Sequence, residues 1–470
     1  MSFNYTHLKD EASTLINDSD VWNSASLQYT FLEYPPSYYF SGIGTTAFWA
    51  FQEKIDLTQV QVFVDQQRYA VRFLMNEAGD VNATNSPSYY QYVDYRVSFA
   101  DVINVTFSEK SQTSTNVDDI GDIAYLNAYL TSFPSTSRTL VGKALPPDVG
   151  GEQKGDVFIN HLAAANQIAT VPIGSTAFWT LMHESMHAIG NLKDVSGVFE
   201  GFFGIGLDKI YNSNKYTIMS YNYSKDNQAG LEVRPYTLQL LDILALQNQY
   251  QQRDYTTRDE ANVYKHGQGF SPTGMDKPFM YTIWDGGGND TIDASSYNVA
   301  AQIDLRQGAF SSIGVFGTGS NASKSVPFDK PGDTVDRGNV AIAFYTVIEN
   351  AKGTAYEDVL IGNAWDNKLE GGEGNDKLYG DGFAYDENIG FLGEEGEETD
   401  AYIAGRAEGN EWVNSAEDKS GVDHLYGGSG DDYLRGGRGA DVHFGGTGND
   451  TFVADGKPAV PENNIEADLE

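Results

Sequence analysis

The chain has 470 residues, 66 acidic against 30 basic side chains, a formal charge of −36, 40% hydrophobic residues, 50 glycines and no cysteine. Such a length and apolar content are enough for a large core, divided between two domains. The charge opposes nucleic acid and anionic membranes, the missing thiols exclude disulfides, thiolate catalysis and cysteine-based zinc sites, and no 18-residue apolar run offers a membrane span.

The charge is unevenly placed. Residues 1–250 carry 26 acidic and 14 basic side chains, residues 251–470 carry 40 and 16. A carboxylate-rich second half repels itself when metal-free, as expected of a segment that condenses on binding Ca²⁺.

Residues 1–25 are polar, run through Asp18-Ser19-Asp20 and lack a period, which predicts a loose leader or short activation segment. The stretch Met1 to His7 has no apolar core of a Sec signal peptide. Alternation around Leu27 to Phe31 predicts a strand, and the apolar positions Leu57, Val60, Val62, Phe63, Ala70, Val71, Phe73 and Leu74 suit an amphipathic helix over 57–75. Ile103 to Phe107 and Gly155 to Asn160 read as strands, and residues 175–190 as a helix. Strands and helices mixed in this order predict an α/β sheet domain ending near residue 250.

On the last of these helices stands His183-Glu184-Ser185-Met186-His187. Residues four apart share a helical face, so both imidazoles can meet one metal with Glu184 beside it. Zn²⁺ takes neutral nitrogen ligands and keeps a position for water, and a carboxylate must accept that water's proton. The same spacing also suits a helix whose histidines sit in a partly polar core, so the surrounding sequence has to decide.

After residue 251 the texture changes. Trp284 to Ile292 introduces glycines and aspartates between short apolar runs, with Asp290 among them, and a nine-residue period follows. Its blocks begin at Gly353, Gly362, Gly371, Gly427, Gly436 and Gly445. In the frame GGxGxDxUx, the second position holds Gly372, Gly428, Gly437 and Gly446, and the fourth Gly374, Gly430, Gly439 and Gly448. The sixth holds Asp358, Asn367, Asp376, Asp423, Asp432, Asp441 and Asp450; the eighth holds Leu360, Leu369, Leu378, Leu425, Leu434, His443 and Phe452. Each block is a tight turn followed by a very short strand, and stacked blocks wind into a parallel β-roll. Glycine lets carbonyls converge and aspartate adds a carboxylate, so these glycines and aspartates, with Asp290, are the expected Ca²⁺ ligands. The apolar eighth residue fills the narrow interior. His443 is the irregularity.

An insertion, residues 383–420, separates the two groups of repeats and carries 11 acidic and 2 basic side chains. It reads as an excursion of solvated loop from one edge of the roll, with a further cation or partner site as the alternative.

Gly190 follows His187 by three, which lets the helix end there, and Ile218-Met219-Ser220-Tyr221 places a methionine two residues before a tyrosine. Together with Gly155–Asn160, the run Leu240-Leu241-Asp242-Ile243-Leu244-Ala245-Leu246-Gln247 and the nonapeptides, these resemble the serralysins, zinc proteases of the metzincin clan with a calcium-loaded C-terminal roll. The resemblance spans roughly 150–455. It implies an α/β metzincin-like catalytic domain over 26–250 followed by an all-β parallel β-roll over 251–470. It further implies zinc on His183 and His187, Glu184 as general base, Met219 as the apolar floor of the site and Tyr221 as the phenol that stabilises the oxyanion. A secreted monomer acting on protein or peptide substrates is expected, exported by a type I route. The family's apolar C-terminal signal is not evident in the stretch after Phe452, which suggests a shortened or divergent relative.

The sequence departs from the metzincin pattern at the third ligand. The position of the third histidine holds Lys193, whose ammonium cannot bind zinc, and no histidine lies between His187 and His266. Asp194, one residue on, is the preferred substitute, with Glu200 or Tyr221 as alternatives. Two readings follow: a zinc endopeptidase with an altered third ligand, or a catalytically weak or inactive calcium-binding exoprotein that binds a protein partner through the cleft. Retention of Glu184 and Tyr221 favours the first, and loss of the third imidazole the second.

Overall fold

The computed structural model describes residues 5–16, 21–39, 47–50, 53–75, 97–132, 140–148, 152–163, 166, 171–195, 207, 211–222, 234–250, 258–265, 279–314, 338–380, 384–386, 390–392, 405–406, 412–413, 422–437 and 440–453. The chain divides into two compact units, one of Asp10–Tyr223 with Arg234–Asp254, the other of Tyr255–Glu470 with Met1–Lys9 and Ser224–Val233.

The chain opens with a helix, α1 (Tyr5–Leu15), where a loose segment was expected; Ala12 and Leu15 are fully buried. The first unit is built on a sheet of β1 (Ser26–Phe31), β2 (Ala47–Ala50), β3 (Glu53–Gln61), β4 (Thr106–Glu109), β5 (Ile123–Ser132), β6 (Gly142–Ala144) and β7 (Asp156–Asn160). β5 is its centre. It runs parallel to β1 and β7 and antiparallel to β3, with Tyr29 opposite Ile123, Leu126 opposite Phe158 and Ile55 opposite Leu130. β6 lies antiparallel on the outside of β7.

Two expected elements shift. Residues 57–61 belong to β3, and the helix α2 (Asp65–Met75) starts only at Asp65. Val62 and Val64, which a helix from residue 57 would contain, are 42% and 46% exposed in the link between the two. The sheet won because Ile55 and Val60 pack into the core cluster with Leu126 and Leu130. Ile103 ends a short helix, α3 (Phe99–Val102), whose start is fixed by a reciprocal Ser98–Asp101 capping box; the strand begins only at Thr106.

Two further helices are described in this unit. α4 (Thr176–Gly190) lies against β6 and β7. It is followed by α5 (Leu240–Tyr250), which contains the whole run Leu240–Gln247 that resembled the family. Gly190 allows their close approach: a Cβ there would stand 2.6 Å from Leu246 Cδ2.

From residue 258 onward the described elements are all strands. In chain order these are β8 (Val263–Lys265), β9 (Tyr281–Ile283), β10 (Thr291–Asp293), β11 (Gln302–Asp304), β12 (Phe310–Ser311) and β13 (Val340–Ile342). The repeats give β14 (Asn350–Lys352), β15 (Val359–Ile361), β16 (Lys368–Glu373) and β17 (Lys377–Tyr379). In the insertion β18 (Ala384–Asp386) pairs with β19 (Gly390–Leu392), and β20 (Gly405–Arg406) with β21 (Trp412–Val413), both antiparallel. β22 (His424–Ser429), β23 (Tyr433–Arg435), β24 (Val442–Thr447) and β25 (Thr451–Val453) resume the repeats.

Alternate strands form two parallel sheets, β8-β10-β14-β16-β22-β24 and β11-β15-β17-β23-β25, the arrangement of a β-roll. Leu360, Leu369, Leu378, Leu425 and Leu434 are fully buried between them. His443, at the same position, is half-buried and stacks on the Phe452 ring at 5.9 Å. The backbone N–H of a sixth-position residue donates to the carboxylate two blocks on: Asp358 to Asp376 and Asp432 to Asp450 across 18 residues, but Asp376 to Asp432 across 56. The difference between the two separations is the length of the insertion, so the chain leaves the roll and re-enters it without changing register.

Candidate metal centres

α4 is placed at both ends by side chains. The Ser175 hydroxyl accepts the Phe178 N–H at 3.1 Å, and Asn191 closes the helix at a left-handed φ of 51°, donating its N–H to the His187 carbonyl. Between them His183 and Glu184 are buried, with the His183 and His187 ring centroids 5.0 Å apart.

Each imidazole is held from behind. His183 Nδ1 lies 2.9 Å from the Ile218 carbonyl, and His187 Nδ1 lies 2.5 Å from that of Leu192. A carbonyl can only accept, so each Nδ1 carries a proton and, in the neutral rings, both Nε2 lone pairs point forward. They converge on Asp194 Oδ1, at 2.9 Å from His183 Nε2 and 3.2 Å from His187 Nε2. Three lone-pair atoms within 4.8 Å of one another are stable only with protons or a cation among them. Two imidazole nitrogens and a carboxylate oxygen, oriented by carbonyls on the far side, fit Zn²⁺. Burial would raise the pKa of Asp194, but the neighbouring His187 and His183 outweigh it and hold the carboxyl well below the usual range.

Tyr221 is half exposed. Its hydroxyl donates to Asp194 Oδ1 at 3.1 Å and lies 3.4 Å from His183 Nε2. Met219 is fully buried in the turn beneath. Lys193 takes no part in the cluster of three, and Glu200 lies outside the described residues. Glu184 packs under the edge strand: a Cβ on Gly142 of β6 would stand 2.6 Å from Glu184 Oε1.

One residue of the site escaped the sequence reading. Asp242, wholly buried at the start of α5, accepts from the Thr217 hydroxyl at 2.5 Å, the Ile218 N–H at 2.9 Å and the Gln239 N–H at 2.8 Å. It thereby fixes the backbone of Ile218, the residue whose carbonyl orients His183. Burial raises it to about 6 against the pull of these donors. The signal was a lone carboxylate inside the apolar run Leu240 to Leu246, a position that needs a partner.

In the roll, carboxylates and carbonyls face each other across glycines. A Cβ on Gly371 would strike Asp376 Oδ2 and the Gly427 carbonyl; one on Gly427 would strike Asp432 Oδ2 and the Gly445 carbonyl. Gly353 stands likewise between Asp358 and Gly371, and Gly362 between Asn367 and Gly380. Gly436 faces Asp441 and Gly445 faces Asp450. Asp423 faces Gly380, which the sequence reading had not named. The second and fourth glycines, Gly372, Gly374, Gly428, Gly430, Gly446 and Gly448, have positive φ, as does Gly437. Gly439 lies outside the described residues.

Among the described residues, Asp290, Asp376 and Asp432 each bury an Oδ2 with no hydrogen-bond partner. Burial lifts Asp376 to about 8, helped by Asp358 and Asp432, and lifts Asp290 to about 8, helped by Asp285 and Glu349. Orphaned carboxylate oxygens beside converging carbonyls fit a hard cation, and Ca²⁺ suits an all-oxygen site of this kind.

Comparison with known proteins points the same way. Residues 254–328 match the family described as Peptidase M10 serralysin C terminal, and residues 352–384 and 419–452 match the RTX calcium-binding nonapeptide repeat. The chain is serralysin-like. It is 29% identical over 382 residues to the metalloprotease AprA of Pseudomonas entomophila, covering 76% of this chain and 64% of that protein. It is 31% identical over 286 residues to serralysin G of Dickeya chrysanthemi, covering 58% and 53%, and 27% identical over 290 residues to a serralysin of Photorhabdus laumondii, covering 58% and 52%. This serralysin-like chain therefore spans between about half and two thirds of the length of these relatives.

Proposed function

We propose that the protein is a secreted, monomeric zinc endopeptidase. Its first compact unit is an α/β metzincin-like catalytic domain, and its second is a roll that folds around Ca²⁺. The observation that carries the reading is the convergence of His183 Nε2, His187 Nε2 and Asp194 Oδ1, with Glu184 next to one of them on the same helix. When bound, zinc supplies Lewis acidity to water and to a scissile carbonyl.

The chain's own groups do the rest. Glu184, held between α4 and β6, takes the proton of the attacking water on its carboxylate and passes it to the leaving amine. Tyr221, exposed and within reach of the donor cluster, gives its hydroxyl to the developing oxyanion. Among the described residues β6 pairs only with β7, so an extended peptide can add to its outer edge beside Glu184. The nonapeptide sites fill at extracellular millimolar Ca²⁺, which supports action outside the cell.

The test measures zinc per chain together with casein cleavage in the parent and in Glu184→Ala. Near-stoichiometric zinc in both, with cleavage lost by about 100-fold or more in the variant, is expected. No zinc and no cleavage in the parent would leave a non-catalytic calcium-binding exoprotein.

A further inference from the structure

The stretch that carries the third donor belongs to no helix or sheet ladder. α4 ends at Gly190, Asn191 turns the chain, and two isolated bridges tie residues 191–195 to other parts of the chain. At the far end Val195 bridges Ser220, and its N–H donates to the Met219 carbonyl at 3.1 Å. At the near end Leu192 bridges Ile16 in antiparallel sense, and the Lys193 N–H donates to the Leu15 carbonyl at 2.8 Å. Leu15 is the last residue of α1 and is fully buried.

Both near-end contacts bear on the donor atoms. The carbonyl of Leu192 is the acceptor that fixes the His187 ring, and Asp194 lies between the two holds. Successive side chains of an extended chain point to opposite sides. Turning the Lys193 N–H onto Leu15 therefore sets the orientation of the residue that follows it. Further along the same N-terminal stretch, the Trp22 indole N–H donates to the Ala188 carbonyl at 2.8 Å, in the last turn of α4.

We propose that Leu15 and Ile16 form a clasp that positions the metal site, setting His187 through Leu192 and presenting Asp194 to both imidazoles. Leu15 and Ile16 are then a working part of the protein, kept in its active form. The proposal rests on the reading of His183, His187 and Asp194 as the zinc ligands.

Zinc affinity, measured by chelator competition with calcium present, tests it in the full chain carrying Lys193→Pro or Lys193→Ala. Proline removes the N–H that Leu15 accepts, and alanine keeps it. The zinc Kd rises about tenfold or more in Lys193→Pro and stays at the parent value in Lys193→Ala. In a chain shortened to begin at residue 17, the Kd is already raised, and the two substitutions no longer differ because the donor has lost its acceptor. Equal affinities of the two variants in the full chain overturn the clasp, and so does a proline effect undiminished in the shortened chain. If either perturbed chain loses its near-ultraviolet circular dichroism, the other decides alone: a parent-like zinc Kd in it overturns the proposal. Asp194→Ala separates the two levels. If it leaves the zinc Kd unchanged, the ligand reading fails and takes the clasp with it; if it weakens zinc while Lys193→Pro does not, only the clasp fails.

Discussion

A calcium ion in the roll can be displaced without touching a carboxylate. Gly371 lies outside the left-handed region, so alanine is free to adopt its backbone. A Cβ there would strike Asp376 Oδ2 and stand 2.7 Å from the Gly427 carbonyl, in the space the two oxygens share. An ordinary carbon–oxygen contact is about 3.4 Å or longer, so the carbonyl must give by roughly 0.7 Å, an overpacking that costs about 1–3 kcal/mol. For a site with a Kd of about 10⁻⁴–10⁻³ M, the lost ion removes a further ~0.4–1.4 kcal/mol at about 1 mM Ca²⁺. Gly371→Ala is accordingly expected to bind fewer ions by calorimetry and to unfold at lower urea. Raising Ca²⁺ from about 1 to 10 mM cancels the packing cost, which is common to both conditions; over that interval the variant gains about 1 kcal/mol less than the parent. Gly372→Ala is the contrast, because φ there is 123° and alanine strains the backbone itself. If Gly371→Ala binds the parent's number of ions and gains as much from added calcium, the facing oxygens do not hold the ion and the reasoning is wrong.

Two further outcomes follow from the first unit. Gly142→Ala would push a methyl to within 2.6 Å of Glu184 Oε1. A base displaced by close to 1 Å lowers kcat/KM on casein about 100-fold with zinc content unchanged, and parent-like kcat/KM would show that Glu184 is not the base. Asp156 is buried and accepts from Tyr39 at 2.7 Å and Tyr38 at 3.1 Å, yet burial outweighs both donors and raises its pKa well above the carboxylate range. Its folded-state value exceeds the unfolded 3.8, so its contribution to stability is full below that pH and is lost as pH rises through the folded value. Asp156→Asn should therefore improve against the parent in urea midpoint from pH 5 to pH 8; a difference constant over that range would mean the carboxyl is not raised.

What could be read in the sequence was local and repeated. Each nonapeptide states its own turn, strand and interior leucine within a single block, and successive blocks repeat the statement, so the roll and its oxygen sites follow from spacing alone. The insertion does not disturb this, because the register is carried by Asp376 and Asp432, which meet across it as neighbours do elsewhere. The histidine pair was legible for the same reason: one turn of helix is enough to place both rings. Errors fell where a pairing or a cap overrides the apolar period. Residues 57–61 fit a helical stripe until β3 pairs with distant β5, and Ile103 fits a strand until the Ser98–Asp101 capping box closes a helix just before it.

The third donor lies at the boundary between these two cases. Lys193 falls on the third-ligand position and Asp194 one residue beyond it, and nothing nearby in the chain says whether Asp194 faces the imidazoles. Under the proposed reading Asp194 is presented from both ends of the stretch, through Leu15 and Ile16 on one side and Met219 and Ser220 on the other, all of them distant from it in sequence. A ligand whose placement depends on contacts so far apart has no local motif. That is why the polar N-terminal stretch, with no period and no recognisable signal, reads as dispensable. Its value shows only in what it holds: Leu192, whose carbonyl aims His187, and the N–H of Lys193, the residue before Asp194.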